Sequence, residues 1–263
     1  MKKIFETIGI LSLFVFSYIY TSKVASLFLE NDSLMVSIND YKDKNDFNCK
    51  EGYITEEGII LGINGLIVDE NKSYSNMKGG SFNKDLLIYS KDKCLISKEN
   101  NLDKYIIKGN SSKKSVSLLI VINNENTEEI LNFLDSKNVE VSLVINNLNN
   151  IDSNSINALS KYSLLYSGTD KVQLKKMLNV NKNAFCISIN EDNLNMCMEE
   201  KVNTIKTNKI YNKNLFSNVR KTLESGDIIV LNNPKEMLTD LDAIINFISA
   251  KGLKIVGIFD LLE

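Results

Sequence analysis

The chain has 263 residues, 43% of them hydrophobic and 24% charged, with 31 basic against 33 acidic side chains and a formal net charge of −2. That is enough apolar material for one large or two modest domains, and such a charge balance gives no sign of the basic face a nucleic-acid partner requires. Histidine is absent, which excludes a Ser-His-Asp triad, a Cys-His dyad and every imidazole-containing zinc site; catalysis would have to rest on carboxylate, lysine, tyrosine or cysteine.

Lys2 and Lys3 precede an apolar stretch from Ile4 to Tyr20 that only Glu6 interrupts. The uncharged window runs from Thr7 to Ser22, then comes Lys23 and a second apolar patch from Val24 to Leu29. Two lysines ahead of an apolar segment match the asymmetry that keeps an N-terminus in the cytoplasm, and a spanning helix needs roughly 20 apolar residues. Residues 1–29 are therefore expected to form a signal-anchor helix. It would cross the cytoplasmic membrane once and leave the remainder outside the cytoplasm. Two other readings stay open: a cleaved signal peptide giving a secreted protein, although Lys23 sits where a cleavage site wants small residues, and a buried N-terminal helix.

Residues 30–48 are mostly polar and read as a linker or stalk. From Cys49 to Ser97, short apolar runs such as Ile59-Ile60-Leu61, Leu66-Ile67-Val68 and Leu86-Leu87-Ile88-Tyr89 are separated by Gly, Asn and Asp. They predict a small β-rich module, followed by a polar connector whose one apolar run is Tyr105-Ile106-Ile107; module and connector together span 49–112. Asn64-Gly65 and Gly79-Gly80 are turn signals there, since neither is followed by the Lys-Ser/Thr and helix of a phosphate loop.

The remainder alternates strand and helix. Val116 to Ile122 is a continuous apolar run, as a strand buried on both faces requires. A helix over Thr127–Asp135 follows, then a strand at Val139–Ile145, a helix near Ser155–Ser160 and a strand at Leu164–Tyr166. The pattern continues with helix Lys171–Leu178, strand Ala184–Ile189, helix Leu194–Glu199, strand Val202–Ile205 and helix Leu215–Leu223. It ends with strand Ile228–Leu231, helix Pro234–Ala250, a stop at Gly252 and strand Leu253–Phe259. Repeated β-α units with buried strands predict an α/β domain over 113–263 with a parallel sheet or barrel.

Two stretches of that domain resemble the polysaccharide deacetylase, or NodB-homology, family. Lys113 to Leu119, Thr127 to Leu134 and Lys137 to Val144 are similar to its first strand, helix and second strand. Glu224 to Leu231, Asp242 to Ile248, Lys251 to Val256 and Leu261-Leu262 are similar to its ending. The resemblance implies a distorted (β/α)7 barrel. It also implies what this chain lacks. The family's Thr-Phe-Asp-Asp-Gly-Pro motif, which supplies a base and a metal ligand, falls on Leu119-Ile120-Val121-Ile122-Asn123-Asn124. Its two metal-binding histidines have no counterpart, its Arg-Pro-Pro motif is missing, and its late Leu-His pair falls on Leu231-Asn232. Hydrolysis of an acetamide by this chemistry needs a metal-bound water and a base, so the expectation is a pseudoenzyme with no catalytic residue, metal or cofactor. A divergent deacetylase with carboxylate ligands is the alternative. A third reading is an interaction module that works through the β-rich part.

Barrel sites lie at the C-terminal ends of strands, where this chain offers Asn123 and Asn124, Ser167 and Asp170, Asn190, and Asn232 and Asn233. Amides donate and accept hydrogen bonds without charge, which suits sugar hydroxyls and N-acetyl groups. The expected partner is thus peptidoglycan or another glycan, with a protein partner as the other option; the competing reading is that asparagine is abundant here and favoured in turns. Asp170, Glu191, Asp192 and Asp260 are candidates for a carboxylate site for calcium or magnesium, against the simpler reading of helix caps and solvated surface. Of the four cysteines, domain logic favours disulfides Cys49–Cys94 and Cys186–Cys197, with buried free thiols as the alternative.

Overall fold

The computed structural model describes residues 2–122, 127–137, 139–150 and 159–263. The chain divides into two compact units, one within 1–49 and 65–92, the other within 50–64 and 93–263.

The larger unit is one curled sheet with helices packed on it. In chain order its strands are β1 (Tyr53–Ile54) and β2 (Ile59–Ile60), then, after β3 (Gly65–Val68) and β4 (Tyr89–Asp92) of the smaller unit, β5 (Tyr105–Lys108), β6 (Ser115–Ile122), β7 (Ser142–Ile145), β8 (Ser163–Tyr166), β9 (Phe185–Ile187), β10 (Thr204–Ile205), β11 (Ile210–Tyr211), β12 (Ile228–Leu231) and β13 (Lys254–Ile255). They pair in the order β1-β2-β5-β10-β9-β8-β7-β6-β12-β11, with β13 joined to the first two residues of β6. Every pairing is parallel except β1 with β2.

Two apolar layers hold this sheet. Val116, Leu118 and Ile120 of β6, Leu143 of β7 and Leu164 of β8 pack against Ile130, Leu134, Leu174, Leu241 and Ile244 of the helices. Leu119, Val144, Leu165, Ile187, Ile205 and Val230 fill the concave side. Each such fully buried side chain stabilises the fold by roughly 1.5–3 kcal/mol. The continuous apolar runs follow from this, since both faces of these strands are covered. Ile258, Leu261 and Leu262, spaced for one face of a helix, close the concave layer from the helix Ile258–Leu262.

Helices Leu194–Glu199 and Pro234–Ala250 occupy the predicted ranges, and Gly252 takes a positive φ of 71° at the stop. Four expectations need correction. The barrel is not closed: among the described residues β1 and β11 are the unpaired edges of a half-barrel. Residues 49–112 are not a separate module, because β1, β2 and β5 extend the main sheet and Ile59, Leu61 and Ile106 enter its concave core. The expected terminal strand Leu253–Phe259 is only β13, followed by a helix. Residues 30–48 contain the helix Ser33–Asn45, N-capped by the Asp32 carboxylate on the Leu34 amide at 2.8 Å. The helix expected near Ser155–Ser160 lies largely outside the described residues.

In the smaller unit, Leu34 and Ile38 of that capped helix form a core with Val68, Met77 and Leu87. β3 and β4 form an antiparallel pair beside the helix Glu70–Met77. The N-terminal segment is a helix over Lys2–Glu30. Among the described residues no helix is long and apolar enough to cross a membrane, which withdraws support from the expected anchor. The uncharged window from Thr7 to Ser22 is about 24 Å long at ~1.5 Å per residue, short of the ~30 Å hydrocarbon core, and serine, threonine and tyrosine dilute it.

Cys186 of β9 and Cys197 of the helix Leu194–Glu199 form a disulfide, both fully buried. Cys49 and Cys94 are disulfide-bonded as well, and none of the described cysteines is free. The Cys186–Cys197 bridge spans a sequence separation of 11, so the double variant Cys186→Ala/Cys197→Ala is expected to lose roughly 2–3 kcal/mol of unfolding free energy in urea titrations. An unchanged midpoint would show that the bridge constrains nothing.

Candidate binding edge at the strand C-termini

Parallel strands place all their C-terminal ends on one edge. Asn123 and Asn124, which follow β6, lie outside the described residues. The register of β11 against β12 pairs Tyr211 with Leu231, so the next residues, Asn212 and Asn232, fall side by side. Asn232 Nδ2 donates to Asn212 Oδ1 at 2.7 Å, and Asn233 Nδ2 donates to the Asn212 carbonyl at 3.0 Å. Asn233 also caps the helix Pro234–Ala250, its Oδ1 accepting the Glu236 amide at 3.2 Å. Asn232 and Asn233 are half-buried and Asn212 is exposed. Asn232 Oδ1 and Asn212 Nδ2 are left without an internal bond among the described residues, one acceptor beside one donor.

Around β8 and β9 the polar groups are committed internally. The Tyr166 hydroxyl donates to the Asp170 carbonyl at 3.0 Å and accepts the Asp170 amide at 3.1 Å, closing the turn 167–170. Tyr166 is buried, and desolvation holds its phenol above the ordinary range. Gly168 sits in this turn with no room for a side chain: a Cβ would lie 2.5 Å from the Tyr166 hydroxyl and 2.7 Å from Asn146 Oδ1. Asn193, only 2% exposed, ties the strand ends together. Its Nδ2 donates to the carbonyls of Tyr166, Gly168 and Ile187 at 3.4, 3.1 and 3.3 Å, and its Oδ1 accepts the Ser188 hydroxyl at 2.9 Å.

The candidate carboxylates serve local structure. Asp170 Oδ1 caps the helix Lys171–Val180 through the Val172 amide at 2.8 Å. Asp192 Oδ1 accepts the Leu194 amide at 3.0 Å. The Tyr105 hydroxyl, that amide and Lys206 hold Asp192 below its ordinary pKa. Glu191 accepts the Thr169 hydroxyl at 3.2 Å. Asp260 is not on this edge: it follows β13 in the helix whose N-terminal amide, that of Ile258, donates to Ser142 Oγ at the start of β7. Among the described residues no three potential ligand side chains converge on this edge. Of the expected binding residues, then, Asn232 and Asn233 come together, Asp170 is a cap, and Asn190 and Ser167 stand apart, Asn190 exposed. Asn212 and Asn193 were not anticipated; the signal for Asn212 was its place three residues ahead of a helix-forming run, and for Asn193 its position just before Leu194.

Replacing Asn193 with alanine strands three carbonyls and a buried hydroxyl, so Asn193→Ala is expected to cost about 2–3 kcal/mol by thermal melting. Loss of a helix cap in Asp170→Ala should cost about 1 kcal/mol. Equal losses would remove the distinction between staple and cap.

No protein-family profile and no curated relative matches the sequence. Among solved structures, the wild-type CE4 family pseudoenzyme BA3943 from Bacillus anthracis superposes with a TM-score of 0.61 at 18% identity, over 89% of this chain and 96% of that one. A BA3943 mutant with restored enzymatic activity gives a TM-score of 0.62 at 18% identity, over 88% of this chain and 98% of the other. The fold is that of the CE4 polysaccharide deacetylases, and the likeness extends well beyond residues 113–263.

Proposed function

We propose that this chain, built on a CE4-type fold, is a non-catalytic deacetylase-like protein that binds an N-acetylated glycan such as peptidoglycan at the C-terminal edge of its sheet, outside the cytoplasm. The observation that carries the reading is the amide cluster of Asn212, Asn232 and Asn233 at the ends of β11 and β12, with one free acceptor and one free donor side by side. An N-acetyl group presents the complementary pair, an N–H and a carbonyl, and neutral amides can hold it without moving a proton.

The residues present do not fit the metal that this fold accommodates elsewhere. There is no histidine, Asp170 and Asp192 accept helix amides, Glu191 accepts a hydroxyl, and Asp260 lies off the edge. No hydrolytic step follows from such a set. The placement outside the cytoplasm is supported by the buried Cys186–Cys197 disulfide, which an oxidising compartment favours.

Titration calorimetry with chitooligosaccharides and muropeptides is expected to show one-to-one binding that Asn232→Ala and Asn212→Ala each weaken by roughly 1 kcal/mol, about fivefold. The same protein with added zinc should release no acetate from those polymers. Binding unchanged in both variants would end the amide-edge reading, and metal-dependent acetate release would replace it with that of a divergent deacetylase.

A further inference from the structure

In the larger unit, most connections between parallel strands carry a helix: Thr127–Lys137 after β6, Lys171–Val180 after β8, Leu194–Glu199 after β9, Leu215–Thr222 after β11 and Pro234–Ala250 after β12. β10 instead runs into β11 through residues 206–209 with no helix. A cavity of about 670 Å³ opens where that helix is missing, with Tyr105 and Ile107 of β5 among its lining residues.

One flank of this trough is acidic, and the other mixes lysines with carboxylates, since Lys108, Lys206, Lys209, Glu224 and Asp227 all line it. β5 pairs with β2 on one side and β10 on the other. Beyond β2, the β1–β2 turn brings Glu56 and Glu57 to the cavity, both exposed and without an ion pair or hydrogen bond among the described residues. Beyond β10, the connection brings Lys206 and Lys209. The Lys206 ammonium lies 4.8 Å from the centroid of the Tyr105 ring. Lys209 and Lys108 are held in place by Asp227, which is 2% exposed: its Oδ2 is 2.5 Å from Lys209 Nζ and its Oδ1 is 3.4 Å from Lys108 Nζ. The Glu224 amide donates to the same Oδ2 at 2.6 Å. Burial works against the Lys108 charge, but Glu224 and Asp227 outweigh it and hold the ammonium above its ordinary pKa.

We infer that this trough is a second binding site, for a short peptide with both ends free. Its carboxylate would meet Lys206, its ammonium would meet Glu56 and Glu57, and its small side chains would lie over Ile60 and Ile107. A cavity of this size suits a ligand of a few residues; with Lys108 and Lys209 neutralised by Glu224 and Asp227, Lys206, which has no ion pair among the described residues, is the cation that complements Glu56 and Glu57 in selecting a molecule with both charges. The site shares no residue with the Asn212–Asn232 cluster, so its failure would leave the glycan reading untouched.

The test titrates the full chain with alanyl-alanine, N-acetyl-alanyl-alanine and alanyl-alanine amide. Alanyl-alanine should bind one-to-one, and each blocked form should bind roughly fivefold more weakly. Glu56→Gln with Glu57→Gln should erase the discrimination against the acetylated form, and Lys206→Gln that against the amide. Both changes lie on exposed residues, and matched melting curves confirm folding. The inference is overturned by a lack of saturable heat with alanyl-alanine, by blocked forms that bind as tightly as the free peptide, or by folded variants that keep the wild-type discrimination.

Discussion

The larger unit depends on one strand that has no exposed face. β6 carries Val116, Leu118, Ile120 and Ile122 into the layer beneath the helices and Leu119 and Val121 into the concave layer. Three strands share its backbone: β13 its first two residues, β12 the next four, β7 the last four. Such a strand cannot shift by one residue without exchanging its two apolar sets and breaking three ladders at once. Every candidate functional residue is placed relative to it, since the register passes from β6 through β12 to β11 and from β6 through β7 and β8 to β9.

Those same constraints decide what could be read in advance. β6, β12 and the helix Pro234–Ala250 were legible because long apolar runs and a Pro-first, Gly-last helix signal themselves locally. β2 was legible as a short strand-like run and β5 as a short apolar run, but neither as a member of the main sheet, because two to four residues between turn signals do not say which sheet they join, and β1 was not read. Their pairing is a tertiary choice, made by Ile59 and Ile106 in the concave core. The helix Ser33–Asn45 was hidden by its polar face, although Asp32 ahead of Leu34, Met35 and Ile38 was in view.

The site divides the same way. Asn232 and Asn233 follow an unmistakable strand, so their place at its end was readable. Asn212 follows a two-residue strand that no periodicity reveals, and Asn193 differs from any loop asparagine only through carbonyls contributed by two other segments. Fold and chemistry therefore separate in this molecule. The sheet and its helices follow the CE4 fold, while many of the polar atoms along this edge fasten strand ends together.

The packing of Gly168 bears on how such an edge could change. The turn after β8 is one of the places where a barrel of this kind could present a new side chain to a substrate, but the space above Gly168 is already filled by the Tyr166 phenol and the Asn146 amide. A side chain at that position forces the Tyr166 hydroxyl and the Asn146 amide to move. Moving the Tyr166 hydroxyl in turn breaks its two bonds to Asp170, which close the turn. This corner thus accepts a side chain only together with a shift of the Tyr166 ring or the Asn146 amide.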